Sequence, residues 1–171
     1  MDRDDAYLLA EVRARVAALG FDLVDLRRRG AGQRQSLQIR IDRPDSVPGH
    51  GVTADDCAVA SRALQRWLDD SGVLGGRYVL EVSSPGIERP LRWIEHWRRF
   101  IGCAVRVRLP GIGRIEATIV RVEQDDRIVL RPRGATEDIT VLVDEARDAT
   151  LVVDWSEVDR SFSGTKSEES A

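Results

Sequence analysis

The chain has 171 residues, 42% hydrophobic and 32% charged, a composition that is globular rather than disordered and fits one ordinary domain or two small ones. Its formal net charge of -3 excludes a whole-molecule field that draws it to nucleic acid. It has no run of eighteen apolar residues, and Met1-Asp2-Arg3-Asp4-Asp5 is acidic where a secretory signal is basic and then apolar, so the expectation is a cytoplasmic protein with no membrane partner. Of the 26 basic residues only Lys166 is lysine. Arginine suits phosphate and carboxylate recognition, although genomic base composition also produces such a bias. Cys57 and Cys103 have no CxxC spacing and no nearby histidine, which predicts reduced, buried thiols.

Asp2 to Leu19 reads as a first helix, because Leu8 or Leu9, Val12, Val16 and Leu19 recur at three and four residues and Gly20 supplies a stop. Phe21 to Arg29 reads as a strand. A glycine turn follows, then a second strand in which Leu37, Ile39 and Ile41 alternate with Gln38, Arg40 and Asp42, so the two form a hairpin with one buried face. Pro44 to Gly51 is a loop of turn formers. Thr53 and Asp56 resemble a capping box with aspartate substituted, opening a second helix to about Asp70 with Cys57, Ala60, Leu64 and Trp67 or Leu68 on its stripe. Tyr78 to Val82 is a third strand. The order αββαβ predicts an α+β sandwich with helices on one face of a small sheet.

The chain then enters Ser83-Ser84-Pro85-Gly86-Ile87-Glu88-Arg89-Pro90, where the pattern changes. Pro85 and Gly86 are what the two central positions of a type II turn require. Pro90 suits the first residue of a helix over 91–102, with Leu91, Ile94, Trp97 and Ile101 as its stripe, clasped between domains. Glu88 is expected to pair with an arginine across this joint. From Cys103 the period is two, in five short strands at Val105 to Leu109, Ile115 to Val122, Ile128 to Leu130, Ile139 to Val143 and Leu151 to Val153, which suits a small closed or nearly closed barrel. Asp144-Glu145-Ala146-Arg147 reads as a helical turn before the last strand, and Ser161 to Ala171 as a disordered tail. The expected division is 1–90, a connecting helix 91–102, a barrel 103–160 and a tail 161–171.

Catalytic patterns are scarce. Only His50 and His96 are present, neither at ligand spacing, and no GxSxG, P-loop or HExxH occurs, so no metal, no cofactor and no catalytic residue are expected. Ser83 and Ser84 have no activating base close in sequence, and the simpler expectation is that their hydroxyls satisfy backbone groups of the turn. Gly72-Val73-Leu74-Gly75 formally matches a GXXG loop, but its middle residues are apolar and it leads to a strand. Basic clusters occur at Arg27-Arg28-Arg29 with Arg34, Arg40 and Arg43, at Arg98-Arg99, and at Arg106, Arg108, Arg131 and Arg133. A solvated face and an RNA-facing one are both open for them.

The stretch Val82-Ser83-Ser84-Pro85-Gly86-Ile87-Glu88-Arg89-Pro90-Leu91, preceded by Tyr78-Val79-Leu80-Glu81, resembles the signature of the RimP family of bacterial ribosome maturation factors. Gly20 to Leu26, Ile39 to Asp42, Gly51 to Cys57 and Ser61 to Leu64 agree in order, so the resemblance runs to about Trp155. It implies a non-enzymatic assembly factor with a KH-like αββαβ layer and a C-terminal SH3-like (Sm-related) barrel. Its implied partners are the small ribosomal subunit, small-subunit rRNA and, through the barrel, ribosomal protein S-twelve, late in assembly when the central pseudoknot forms.

Residues 93–160 carry 11 basic and 13 acidic side chains, a net -2 that complements a basic ribosomal protein better than phosphate. Residues 1–92 balance 14 against 14, so rRNA contact must come from local patches, and Arg27, Arg28, Arg29 and Arg40 are the expected backbone contacts. Ser83, Ser84, Pro85, Gly86, Glu88, Arg89 and Pro90 are expected to set how the two domains engage the subunit. The expected state is a monomer. The alternative reading is a general RNA-binding chaperone with KH-like and Sm-like domains.

Overall fold

In the computed structural model, which describes residues 3–30, 35–46 and 50–152, internal contacts divide the chain into two units, Met1–Gly86 and Ile87–Ala171. In the first unit, α1 (Arg3–Ala18) buries Leu8, Val12 and Val16, the stripe expected from its three- and four-residue spacing. Two strands, β1 (Asp22–Arg29) and β2 (Gln35–Asp42), pair antiparallel, with a register shift between Leu23 and Asp25. The second helix, α2 (Ala54–Ser71), begins with the expected capping box. Thr53 accepts the Asp56 N–H at 3.2 Å, and the Asp56 carboxylate accepts the Thr53 N–H at 2.9 Å. It buries Ala60, Leu64 and Leu68.

The third strand, β3 (Tyr78–Ser83), lies parallel to β2, giving a mixed sheet in the order β1-β2-β3. Leu37, Ile39 and Ile41 of β2 are wholly buried, and their side chains therefore mark the face that α1 and α2 cover. Gly72-Val73-Leu74-Gly75 forms the stop of α2. Gly72 takes a left-handed φ of +61° as the C-cap of α2 and donates its N–H to the Leu68 carbonyl, and Leu74 is buried. The Leu74 carbonyl accepts the Gln35 side-chain amide at 2.9 Å.

The second unit holds α3 (Ile94–Arg99) and five strands, β4 (Ala104–Leu109), β5 (Gly113–Val122), β6 (Arg127–Pro132), β7 (Ile139–Leu142) and β8 (Arg147–Leu151). A 3-10 turn at Val143–Glu145 precedes β8. The strands form one antiparallel sheet in the order β7-β6-β5-β4-β8. Among the described residues no ladder joins β7 to β8, so hydrogen bonds do not close the sheet into the barrel that strand spacing suggests. Its core contains Val105, Val107, Leu109, Ile119, Ile128 and Leu130, with Leu91 and Trp97 of the preceding segment packed into it.

The helix expected over 91–102 is therefore six residues long, and its tryptophan belongs to the core of this unit. Cys103 is exposed and Cys57 half-buried, so the expectation of two buried thiols holds for neither in full; burial, with a lesser push from Asp56, raises the Cys57 thiol above its ordinary value. The tail 161–171 and Val153 lie outside the described residues. No helix among the described residues is long and apolar enough to cross a membrane, and no group of three or more His, Cys, Asp or Glu among them could hold a metal ion.

Candidate nucleic-acid interface

Strand alternation sorts the arginines of the first unit between two faces. In the β1-β2 register Leu26 lies opposite Ile39 and Arg28 opposite Leu37, on the side that the helices cover. Asp25 lies opposite Arg40, Arg27 opposite Gln38 and Arg29 opposite Ser36, on the other side. Continued into β3, the open face carries three rows: Asp25, Arg40 and Ser83; Arg27, Gln38 and Glu81; Arg29, Ser36 and Val79. The set Arg27, Arg28, Arg29 and Arg40 is thus not one cluster. Arg28 reaches back to α1, with its guanidinium 3.5 Å from Asp5 and 2.8 Å from the Gln35 side-chain oxygen.

Charge pairing distinguishes the remaining three. Arg27 donates from Nε to Asp25 Oδ2 at 2.8 Å, and Asp25 is 1% exposed, so this cation is tied to a buried carboxylate. Arg29 and Arg40 have no ion-pair partner among the described residues. Gln38 donates to Glu81 at 3.0 Å, across the β2-β3 pair. The hydroxyls of Ser36 and Ser83 make no hydrogen bond among the described residues.

Four arginines of the second unit are differently placed. Arg106 sits 3.0 Å from Glu116, Arg133 is 3.0 Å from the other oxygen of that carboxylate, Arg131 is 2.8 Å from Asp138 and Arg108 is 3.9 Å from Asp148. Hydrogen bonds from Arg106, then Arg133, hold the Glu116 carboxyl below its ordinary range. A phosphate would have to displace a carboxylate from each of these guanidinium groups. The first unit's open face requires no such exchange at Arg29 or Arg40.

The signature segment is divided between the two units. Ser83 is the last residue of β3, opposite Arg40, and Gly86 takes φ +73°, the left-handed value that the third position of a type II turn demands. Ser84, exposed, makes no side-chain hydrogen bond among the described residues, so neither serine hydroxyl satisfies the turn as expected. Glu88 is exposed and lies 3.4 Å from Arg106, a partner within its own unit rather than across the joint.

Arg89 is 5% exposed, with its guanidinium 5.2 Å from the Phe100 ring centre. Pro90 does not open a helix. It forms a β-bridge with Thr150, flanked by Leu91 N–H to Ala149 O and Leu151 N–H to Arg89 O, both at 2.9 Å. Proline is tolerated there because the two hydrogen bonds fall on its neighbours, and its own missing N–H is not needed on this edge. The segment thereby covers the outer edge of β8.

His96 is buried in the second unit with Nδ1 accepting the Arg92 N–H at 3.1 Å, and its ring meets Trp93 edge-on at 4.9 Å. Sequence patterning had singled out Arg40 and Gln38 as alternate polar positions of β2. It passed over Ser36, whose place on the open face follows from the same alternation once the register is known.

Residues 11–88 match the family model described as the RimP N-terminal domain. The match spans α1 from Glu11, all of the sheet, α2, and the signature as far as Glu88.

Proposed function

The chain belongs to the RimP family, a family of ribosome maturation factors, and from this we propose that it binds the immature small ribosomal subunit and assists its late assembly without catalysing a reaction. The match of residues 11–88 is the observation that carries this reading. In it the first unit, a KH-like layer, contacts small-subunit rRNA through Arg27, Arg29 and Arg40. The second unit, an SH3-like (Sm-related) domain, contacts ribosomal protein S-twelve, and central pseudoknot formation is the step assisted. Support for a protein partner at the second unit is its net -2 between residues 93 and 160 together with the carboxylate pairing of Arg106, Arg131 and Arg133. The segment from Ser83 to Pro90 governs how the two units engage the subunit. The protein acts in the cytoplasm as a monomer.

Co-sedimentation of the full chain with separated small and large subunits, at low and moderate salt, tests the proposal. Selective pelleting with small subunits is the expected result. Equal pelleting with both, or strong binding to unrelated RNA with no subunit preference, overturns it in favour of a general RNA chaperone.

A further inference from the structure

We propose that the open face of the β1-β2-β3 sheet binds the backbone of double-helical RNA, and not single strands, along the line from Arg29 through Arg27 to Arg40. The proposal rests on the ribosome-maturation reading only for the presence of RNA; the choice of double helix comes from the face itself. Single-strand binders gain their affinity from aromatic platforms on which successive bases stack. This face displays Arg27, Arg29, Ser36, Gln38, Arg40, Val79, Glu81 and Ser83 and no aromatic ring. The neighbouring segment 31–34 contains none either. Tyr78, the one aromatic residue of the three strands, donates its hydroxyl to Asp69 of α2 at 2.6 Å on the helix-covered side.

What the face does offer are the groups that read an A-form helix by shape: guanidinium forks for phosphates, and hydroxyl and amide groups for 2′-hydroxyls. Residues two apart on a strand are roughly 7 Å apart, and Arg40 lies a further pair of residues along from Arg27, so the cations extend over about 14 Å. That length covers several phosphates of one strand. All three cations lie on β1 and β2; the exposed acid of the face, Glu81, lies on β3, while Asp25 and Asp42, on β1 and β2, are buried. An RNA helix seated over β1 and β2 meets Arg29 and Arg40 without first breaking an ion pair.

Fluorescence anisotropy with the full chain, comparing a labelled RNA duplex with a single strand of equal length over a range of salt, tests this. The duplex is expected to bind more tightly at every salt concentration. Arg29→Gln and Arg40→Gln should each weaken it several-fold and lower the magnitude of the salt slope by about one. Arg28→Gln removes the same charge from the helix-covered side and should leave the slope unchanged; Arg133→Gln, in the second unit, is the control should Arg28→Gln unfold. Single-strand binding equal to or tighter than duplex binding overturns the proposal, as does an equal loss in the control variants. Small-subunit pelleting that persists alongside absent duplex binding would refute this inference alone and leave the maturation reading standing.

Discussion

Leu151 donates its backbone N–H to the Arg89 carbonyl at 2.9 Å, and this bond, with its partner from Leu91 to Ala149, makes the end of the signature segment a short additional strand on β8. An edge strand otherwise presents unpaired backbone groups to any neighbouring chain. The amides of Leu91 and Leu151 should therefore exchange with deuterium slowly, at rates like those of the β4-β8 ladder, while Glu88 exchanges fast. Rapid exchange at Leu91 would show that the segment is not paired.

Trp97 is wholly buried in the second unit's core, and among the described residues its indole N–H has no acceptor. Truncation to alanine should cost about 3–5 kcal/mol in urea unfolding, the range for deleting a large buried aromatic. Trp97→Phe should cost markedly less, because it keeps most of the ring while removing a buried donor that lacks a partner. A phenylalanine variant as damaged as the alanine one would mean that the indole nitrogen is bonded after all.

The reciprocal cap of Thr53 and Asp56 fixes where α2 begins. Thr53→Ala leaves the Asp56 N–H without its acceptor and should destabilise the protein by about 1 kcal/mol, read from the denaturant midpoint. No change in midpoint would show that solvent satisfies the first turn equally well.

Acid should weaken the fold through two carboxylates. The Thr53 backbone N–H, then Arg43, holds Asp56 below its ordinary 3.8, and Arg106, then Arg133, holds Glu116 below 4.5. Because the folded values are the lower ones, the unfolded chain takes up protons first as pH falls. Their contribution is complete above the ordinary values, begins to fall as pH passes through 4.5 and 3.8, and is gone once pH drops below the folded values. Denaturation midpoints of the double variant Asp56→Asn, Glu116→Gln should be lower than the parent's at neutral pH and flatter across that window. An equally steep decline in the variant would assign the acid sensitivity to other groups.

Gly51 packs against a carboxylate held by two hydrogen bonds. A Cβ there would stand 2.9 Å from Asp42 Oδ1, which already accepts the Arg43 N–H at 2.9 Å, while Oδ2 accepts the Ser46 hydroxyl at 2.6 Å. Gly51→Ala should cost on the order of 1–3 kcal/mol through overpacking. A neutral midpoint would show that the loop moves aside freely.

The amino-acid sequence by itself determined the local elements, because each rests on residues close in the chain. The stripe of Leu8, Val12 and Val16, the Thr53-Asp56 cap, the alternation of Leu37, Ile39 and Ile41 and the glycine at the left-handed position 86 all follow from spacing and backbone preference. The signature from Val82 to Leu91 likewise pointed to the family before any fold was known.

Tertiary structure decided what depends on distant partners. The run Arg27-Arg28-Arg29 looks like one basic patch until the sheet register turns Arg28 toward α1 and joins Arg40 to its neighbours. Pro90 reads locally as a helix start, yet the edge of β8 supplies hydrogen bonds that the first turn of a helix could not match. Glu88 finds Arg106, eighteen residues away, within its own unit. Period-two patterning predicts strands but not the order β7-β6-β5-β4-β8 or the lack of a closing ladder among the described residues, since strand pairing is a choice among distant backbone donors and acceptors.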